Sequence, residues 1–360
     1  MQESNNLFIF YYFPPHGMSG SIRACKIAKY LKEKMDFFVI SSKTKHWVYD
    51  KSLLEDVENL NIIRIFDPIG FLIGGKIKGK NGKKFFIDSK FLWRYLAEIY
   101  IKKRFKNVKL IYVSSPPPSS IILGYKLKNF FNSKLLIELR DEWLSKNERK
   151  EKEILEILKN ANGIVYSYEG LMEKFKIKGI VAEHGYEERV KSEKNKEKFK
   201  IFYTGTLKDA QDSFIKLVRE IKNLKDVEIH YAGIMPENLP EDIKNFINYH
   251  GFVSYKNLKN LLKYANLFLL VFDKIGDYTA PSRFFEYCAY DIPILCIAPK
   301  GIYLERVLKE RNKGFYFSKE EIEKAIKIIE ELKTKEINIE FSGNTWKECA
   351  EKIYEYIKGI

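Results

Sequence analysis

The sequence predicts two successive α/β domains, each built on a doubly wound, mostly parallel sheet. Three observations predict it. Short apolar runs such as 7–12 (LFIFYY), 134–139 (KLLIEL) and 267–272 (LFLLVF) read as strands buried on both faces. These runs alternate with segments of helical period, in strand–helix–strand order. A charged, apolar-poor run at 191–200, with SEKNKEK at its heart, separates two such alternations, and 360 residues suit two cores rather than one. The expected domains are 1–190 and 191–360, Rossmann-like and facing across a cleft, with a last helix at 345–358 free to pack back on the first.

The first alternation opens with strand 7–12. The loop FPPHGMSGS follows, with two prolines and then Gly17 and Gly20, which let a backbone turn sharply and approach a ligand closely. Ser19 or Ser21 can cap a helix over 22–34, and Arg23 in its first turn can point into the same crevice. Strands follow at 37–41, 62–66 and 110–114. Between the last two lies a basic, aromatic segment with a glycine-rich loop at 70–82 and a helix from Asp88. A helix at 119–131 is introduced by Pro116, Pro117 and Pro118. The strand at 134–139 ends in Arg140, Asp141, Glu142 and Trp143, charges placed either for a crevice or for an inter-domain ion pair. A helix at 148–159 and strands at 163–166 and 179–182 complete the domain.

The second alternation has strands at 200–203, 227–232, 250–253, 267–272, 294–297 and 314–317. The loop Gly205, Thr206, Leu207, Lys208 follows the first of them. Helices are expected at 213–222, 242–248, 255–264 and 319–333, then the last one after FSGN. Between the strands at 267–272 and 294–297 the stretch TAPSRFFEYCAYDIP reads as a helix of about three turns. Thr279 can cap it, Pro281 suits its first turn, and Pro293 stops it. Arg283 and Glu286, three apart, share a face. A guanidinium and a carboxylate at the mouth of a parallel sheet suit a ligand with a diphosphate and a neighbouring diol. An amphipathic helix with an i,i+3 surface pair explains the same residues.

Composition narrows the classes further. With 45% hydrophobic and 31% charged residues the chain is globular. Its longest apolar run, 7–13, is far short of a membrane span, and MQESNN before it has no basic residue, so no signal peptide is expected. Cys25, Cys288, Cys296 and Cys349 have no metal-ligand spacing and read as reduced core residues in a cytoplasmic protein. The net charge is +15, and residues 70–106 carry eleven Lys/Arg against Asp88 and Glu98, so +9 lies there. Cations interleaved with aromatics suit an anionic membrane surface. A solvated loop beside a core-facing aromatic stripe is the alternative. No nucleic-acid-binding signature accompanies the charge.

Several motifs, in their order along nearly the whole chain, resemble the GT-B glycosyltransferases, specifically the large retaining family numbered four (glycosyl transferases group 1). FYYFPPHGMSGSIRACKIAKYL looks like that family's opening strand and glycine loop, and LRDEW like its Arg-Asp-x-Trp element. AEHGYE, YTGTL, HYAG and HGFVSYKNLKNLLKYANLFLLVF follow in the family's order. APSRFFEYCAYDIPIL is similar to its Pro-Ser-Lys-x-x-Glu-Tyr-x-Ala-x-x-x-Pro signature, with Arg283 for the lysine.

The resemblance implies a glycosyltransferase with a nucleotide-diphosphate sugar donor in the second domain and a glycan or lipid-linked acceptor against the first. Arg283, with Lys208, would hold the diphosphate, and Glu286 the ribose hydroxyls, these being the catalytic pair Arg283 and Glu286. Gly17, Ser19, Gly20 and Arg23 from the first domain, and Gly205, Thr206, Thr279 and Ser282 from the second, complete the implied donor site. His16, Arg140 and Asp141 are the acceptor-side candidates. Neither a metal nor a cofactor is implied, and the expected location is cytoplasmic, peripheral at the inner face of the membrane. Three departures stand out. Tyr278 occupies the position where the family often has the first glutamate of Glu-x7-Glu. One cation of the usual Arg/Lys pair is missing beside Lys208, where Asp209 and Asp212 stand instead. No clear catalytic histidine is found in the first domain. A nucleotide-sugar epimerase or a non-catalytic sugar-nucleotide-binding protein of the same fold are the alternatives.

Overall fold

A computed structural model describes residues 6–44, 48–73, 88–142, 148–193, 197–207, 210–335 and 337–360. The chain forms two compact units, Met1–Gly185 with Asn344–Ile360, and Tyr186–Gly343. The first break falls five residues before the boundary drawn from the charge run.

In the first unit the elements are β1 (Asn6–Ile9), α1 (Ser19–Lys32), β2 (Phe38–Lys43), β3 (Asn61–Phe66), α2 (Pro68–Ile73), α3 (Phe91–Arg104), β4 (Leu110–Ser115), α4 (Pro118–Phe131), β5 (Lys134–Leu139), α5 (Glu148–Lys159), β6 (Gly163–Tyr166), α6 (Glu169–Phe175) and β7 (Ile180–Val181). The sheet is parallel throughout, in the order β3-β2-β1-β4-β5-β6-β7. Leu7, Phe8, Ile9, Ile111, Tyr112, Leu136 and Ile137 are fully buried. Strands covered on both faces can be apolar at every position, which is why these runs lack alternation.

The second unit repeats the plan with β8 (Phe199–Thr206), α7 (Gln211–Ile221), β9 (Val227–Ile234), α8 (Glu241–Lys244), β10 (Ile247–Gly251), α9 (Tyr255–Leu262), β11 (Leu267–Val271), α10 (Ser282–Tyr287), β12 (Ile294–Ile297), α11 (Tyr303–Glu310), β13 (Gly314–Phe317) and α12 (Ile322–Thr334). Its sheet runs β10-β9-β8-β11-β12-β13, again all parallel. In both sheets the chain starts in the middle, winds to one edge, and returns to wind to the other. The reversal leaves a crevice at the carboxyl ends of the two central strands, β1/β4 in one sheet and β8/β11 in the other.

The chain then returns to the first unit as α13 (Trp346–Gly359). Thr345 caps it in a reciprocal box with Glu348. It packs along α1. Trp346 is fully buried with its ring 4.5 Å from that of His184, and the Cys349 thiol donates to the Glu183 carbonyl at 3.0 Å.

Several sequence expectations need correction. Helix α1 begins at Ser19, with Met18 as its N-cap and no side-chain cap, so neither Ser19 nor Ser21 plays that part. Residues 205–206 are not loop but the end of β8, paired with Gly233 and Ile234. The helix expected at 242–248 stops at Lys244, because Ile247 pairs with Ile229 and is drawn into β10; tertiary pairing outweighs local propensity there. Helix α10 has six residues rather than three turns, with Pro281 as its N-cap, so Thr279 lies outside it. Helices α2, α6 and α11 were not expected at all.

Candidate active site

The crevice of the second sheet is a cleft of about 380 Å³ lined by Thr206, Ala210, Phe272, Lys274, Ile275, Gly276, Thr279, Pro281 and Arg283. Its floor is the end of β8, and tyrosine hydroxyls hold that floor in place. Tyr203 Oη donates to the Thr206 carbonyl at 2.8 Å and Tyr231 Oη to the Gly205 carbonyl at 3.1 Å. Tyr287 Oη and Thr204 Oγ1 share a hydrogen bond of 2.9 Å. Burial pushes the phenols of Tyr231 and Tyr287 above the ordinary tyrosine value, so both stay protonated as donors.

Two glycines give this floor its shape. Gly205 has φ +100°, and a Cβ on it would lie 3.1–3.3 Å from the Arg283 guanidinium. Gly233 has φ +150°, and a Cβ there would collide with the Gly205 carbonyl oxygen. Only glycine lets the ends of β8 and β9 approach so closely.

Arg283 stands over this floor. Its Nη1 donates to the Thr204 carbonyl, and the guanidinium lies 5.0 Å from the Tyr203 ring centroid and 5.5 Å from that of Phe272. Aromatic faces favour the cation without neutralising it. No carboxylate pairs with it among the described residues. Its remaining N–H groups therefore offer a fixed fork to an anion.

The loop after β11 contributes Lys274, which is exposed at the cleft rim. Its neighbour Asp273 points the other way. The Asp273 carboxylate accepts from the Asp212 N–H at 2.9 Å, the Ser213 N–H at 3.0 Å and Ser213 Oγ at 2.5 Å. Helix α7 is thus capped by a residue sixty positions away, and its first N–H groups are already satisfied. An anion in this cleft is met by side-chain cations rather than by that helix terminus.

The cleft brings together Thr206, Thr279 and Arg283 from the expected donor set, with Gly205 directly beneath. Glu286 and Ser282 lie on α10 but do not line it. Tyr278 is exposed. Lys208, Asp209 and Trp143 lie outside the described residues. Sequence reasoning missed Phe272, Asp273, Lys274, Ile275 and Gly276. Strand order, which makes β11 a central strand, is the signal that would have singled out the residues just past its end.

In the first unit, Arg23 corrects an expectation. It does not face a crevice but is 1% exposed, its Nε 2.9 Å from Glu138, with Nη1 and Nη2 donating to the Glu183 and Ala182 carbonyls, both at 2.7 Å. Glu138 also accepts from Tyr112 at 3.0 Å and Ser114 at 2.5 Å. Burial alone would raise the Glu138 pKa, but Arg23 and these donors hold it below the ordinary value. The group ties α1 to β5 and to the segment entering the second unit. Gly17 lies in the loop after β1, and Ser19 is exposed at the start of α1. Arg140 follows β5 and rests on Gly20. His16 is buried, with its ring 5.1 Å from Tyr12, and Nδ1 accepts from the Met18 N–H at 3.4 Å. Asp141 is exposed to solvent; surrounding protein raises its pKa, against the charges of Arg140 and His184.

Comparison with known proteins defines the class. Residues 186–355, the whole second unit and α13 up to its last turn, match the family described as Glycosyl transferases group 1. Among solved structures the chain resembles an Anabaena protein, HepE, in complex with UDP and glucose, at 12% identity and a TM-score of 0.67, covering 99% of this chain and 100% of that one. It resembles the lipopolysaccharide outer core galactosyltransferase WaaB at 14% identity and a TM-score of 0.61, covering 98% and 99%. A Methanocaldococcus jannaschii UDP-GlcNAc 2-epimerase stands at 14% and 0.61, covering 99% and 100%. No curated protein matches. The two parallel sheets give the chain the GT-B fold of these structures, and the family match over residues 186–355 supports a glycosyltransferase.

Proposed function

We propose that the protein transfers a sugar from a nucleoside-diphosphate donor, bound in the cleft of the second unit, to a hydroxyl of a glycan or lipid-linked acceptor bound to the first. The observation that carries this reading is the Arg283 guanidinium, held by the Thr204 carbonyl and two aromatic rings at the switch point of a parallel sheet. When the bond between the sugar and the diphosphate breaks, its electron pair goes to the leaving phosphate oxygen. Arg283, with Lys274 at the rim, opposes that growing charge from a fixed position. Two side-chain cations can fill the role a metal plays elsewhere, so the reaction is read as metal-independent, and by family resemblance as retaining. Glu286, near Arg283 on α10, is assigned to the ribose hydroxyls, and Gly17, Ser19 and Gly20 to the donor on the side of the first unit. HepE with UDP and glucose supports a uridine donor, and WaaB a cell-surface glycan acceptor.

The test is calorimetry and turnover with UDP and UDP-sugars, with and without a chelator. The wild type should bind UDP, and chelation should leave turnover unchanged. Arg283→Ala should lower kcat by about 10²–10³-fold while weakening UDP binding less, because the charge it opposes develops in the transition state. Arg283→Lys should keep part of the rate, a point charge replacing a fork. Equal losses in binding and rate would make Arg283 a ground-state anchor only.

A further inference from the structure

Arg140 is a cation with no ion-paired carboxylate among the described residues. It follows the last residue of β5, and its N–H continues the ladder to the Ser115 carbonyl at 3.0 Å. Only 9% of it is exposed. Nη2 donates to the Pro116 carbonyl at 2.5 Å, and Nε is buried with no acceptor. Glu138 lies two residues away, but its oxygens are taken by Arg23, Tyr112 and Ser114. No carboxylate among the described residues forms an ion pair with Arg140. A desolvated guanidinium with an empty N–H is costly unless something supplies the negative charge.

Its direction indicates where that charge would sit. The guanidinium lies on Gly20, so closely that a Cβ there would collide with Nη1. Gly20 is the second residue of α1, a helix of 14 residues with no acidic residue in its first turn and no side-chain cap. The Ser21 and Ile22 N–H groups donate to the Met18 carbonyl, which leaves those of Ser19 and Gly20 at the helix start, where the guanidinium lies against Gly20. Ser21, next to Gly20, and Ser115, whose carbonyl accepts from the Arg140 N–H, have buried hydroxyls with no partner among the described residues. Tyr12 stands near; burial pushes its phenol up to about 12, with the Arg140 charge the strongest opposing influence. Asp141, next in the chain, reaches solvent. An anion-binding centre bordered by a phenol, hydroxyls and a carboxylate has the chemistry for an acidic group on a polyol.

We propose that Arg140 and the first turn of α1 form an anion subsite of the first unit, which takes a carboxylate or phosphate carried by a sugar substrate. The proposal deepens the reading above and rests on it for the word substrate. The acidic group can belong to the donor's sugar or to the acceptor; the chemistry at Arg140 is the same, and the experiment separates the two.

The experiment is calorimetry on the full chain with glucose, glucuronate and glucose 1-phosphate, then UDP-glucose against UDP-glucuronate. One of the free acidic sugars should bind at least about tenfold tighter than glucose if the group is the acceptor's. UDP-glucuronate should exceed UDP-glucose by the same margin if it is the donor's. Arg140→Met should abolish the preference, and Arg140→Lys should restore part of it. UDP binding should be equal in both Arg140 variants, which also shows that they are folded. No preference for acidic over neutral ligands in the wild type, or a preference that survives Arg140→Met, would overturn the subsite. Failure of UDP to bind any form would sink the donor reading instead, leaving the sugar comparison to decide the subsite by itself.

Discussion

At Gly205 the backbone takes φ +100° and the Arg283 guanidinium lies against its α-carbon. Replacing it with alanine sets two penalties together. A side chain in this region strains the backbone by about 1–2 kcal/mol. The new methyl would also press on a guanidinium already held by the Thr204 carbonyl and two rings. Gly205→Ala should therefore lower stability by roughly 1–3 kcal/mol and weaken UDP binding, read by chemical denaturation and calorimetry. If UDP affinity is unchanged, the contact between residue 205 and Arg283 does not shape the cleft. At this scale the sequence was partly legible. Arg283, Thr206 and Thr279 carry side chains whose chemistry proclaims a use, and they do meet in one cleft. Arg23 carried the same chemistry and meets a different fate, because its partner Glu138 lies 115 residues away. A cation in a glycine-loop helix cannot reveal from its own neighbourhood whether it faces a ligand or a buried carboxylate.

Elements were legible where they are buried on both faces. The strands at 134–139, 163–166 and 294–297 read from the sequence with the bounds the structure gives them, since an apolar run between turn signals has few other uses in an α/β chain. Short elements held by distant partners were not. Helix α7 is capped by Asp273, and Ile247 enters a strand through Ile229; neither partner is near in sequence. The Arg23–Glu138 group is the clearest case of such a long-range tie, joining α1, β5 and the Ala182–Glu183 carbonyls. Arg23→Met leaves Glu138 buried without its cation, which should cost about 3–5 kcal/mol near neutral pH. Substituting both, Arg23→Met with Glu138→Gln, should cost less, because no buried charge is then left over. The pH dependence follows from the Glu138 pKa, held below its ordinary value of 4.5 in the folded wild type. The unfolded chain binds the proton first on acidification, so the wild type loses this stabilisation as pH falls below about 4.5. In Arg23→Met the carboxyl pKa should rise above 4.5, so that acidification from neutral pH down to about 4.5 recovers stability instead. Melting curves of the three proteins from neutral pH down through about pH 3 check both signs; parallel curves would show that the pair does not govern the acid limb.

The molecule as a whole carries +15, and +9 of it falls within residues 70–106. Net charge of this size says nothing about fold, but it sets which surfaces the protein meets. No described helix is long and apolar enough to cross a membrane, so attachment to one would have to be interfacial. The described part of the segment has the right components. On α2, Phe71 is 40% and Leu72 82% exposed, and Tyr95 and Tyr100 project from α3. Lys102, Lys103 and Arg104 fill the last turn of α3. Lys76, Lys78, Lys80, Lys83 and Lys84, between the two helices, lie outside the described residues. Exposed rings beside cations can enter an interface while the charges rest on anionic headgroups. Each lysine near such a surface is worth about 1 kcal/mol and its attraction fades within a Debye length of about 10 Å at 0.1 M salt. The effect must then be cumulative and strongly salt-dependent, unlike insertion by apolar area alone. The full-length protein should sediment with vesicles containing phosphatidylserine at low salt and be released as salt rises. Changing the five lysines to glutamine should abolish sedimentation while UDP binding stays intact, since the donor cleft lies in the other unit. A wild type that ignores anionic vesicles even at low salt would leave the charge as solvation of a loop and point the transfer reaction at a soluble acceptor.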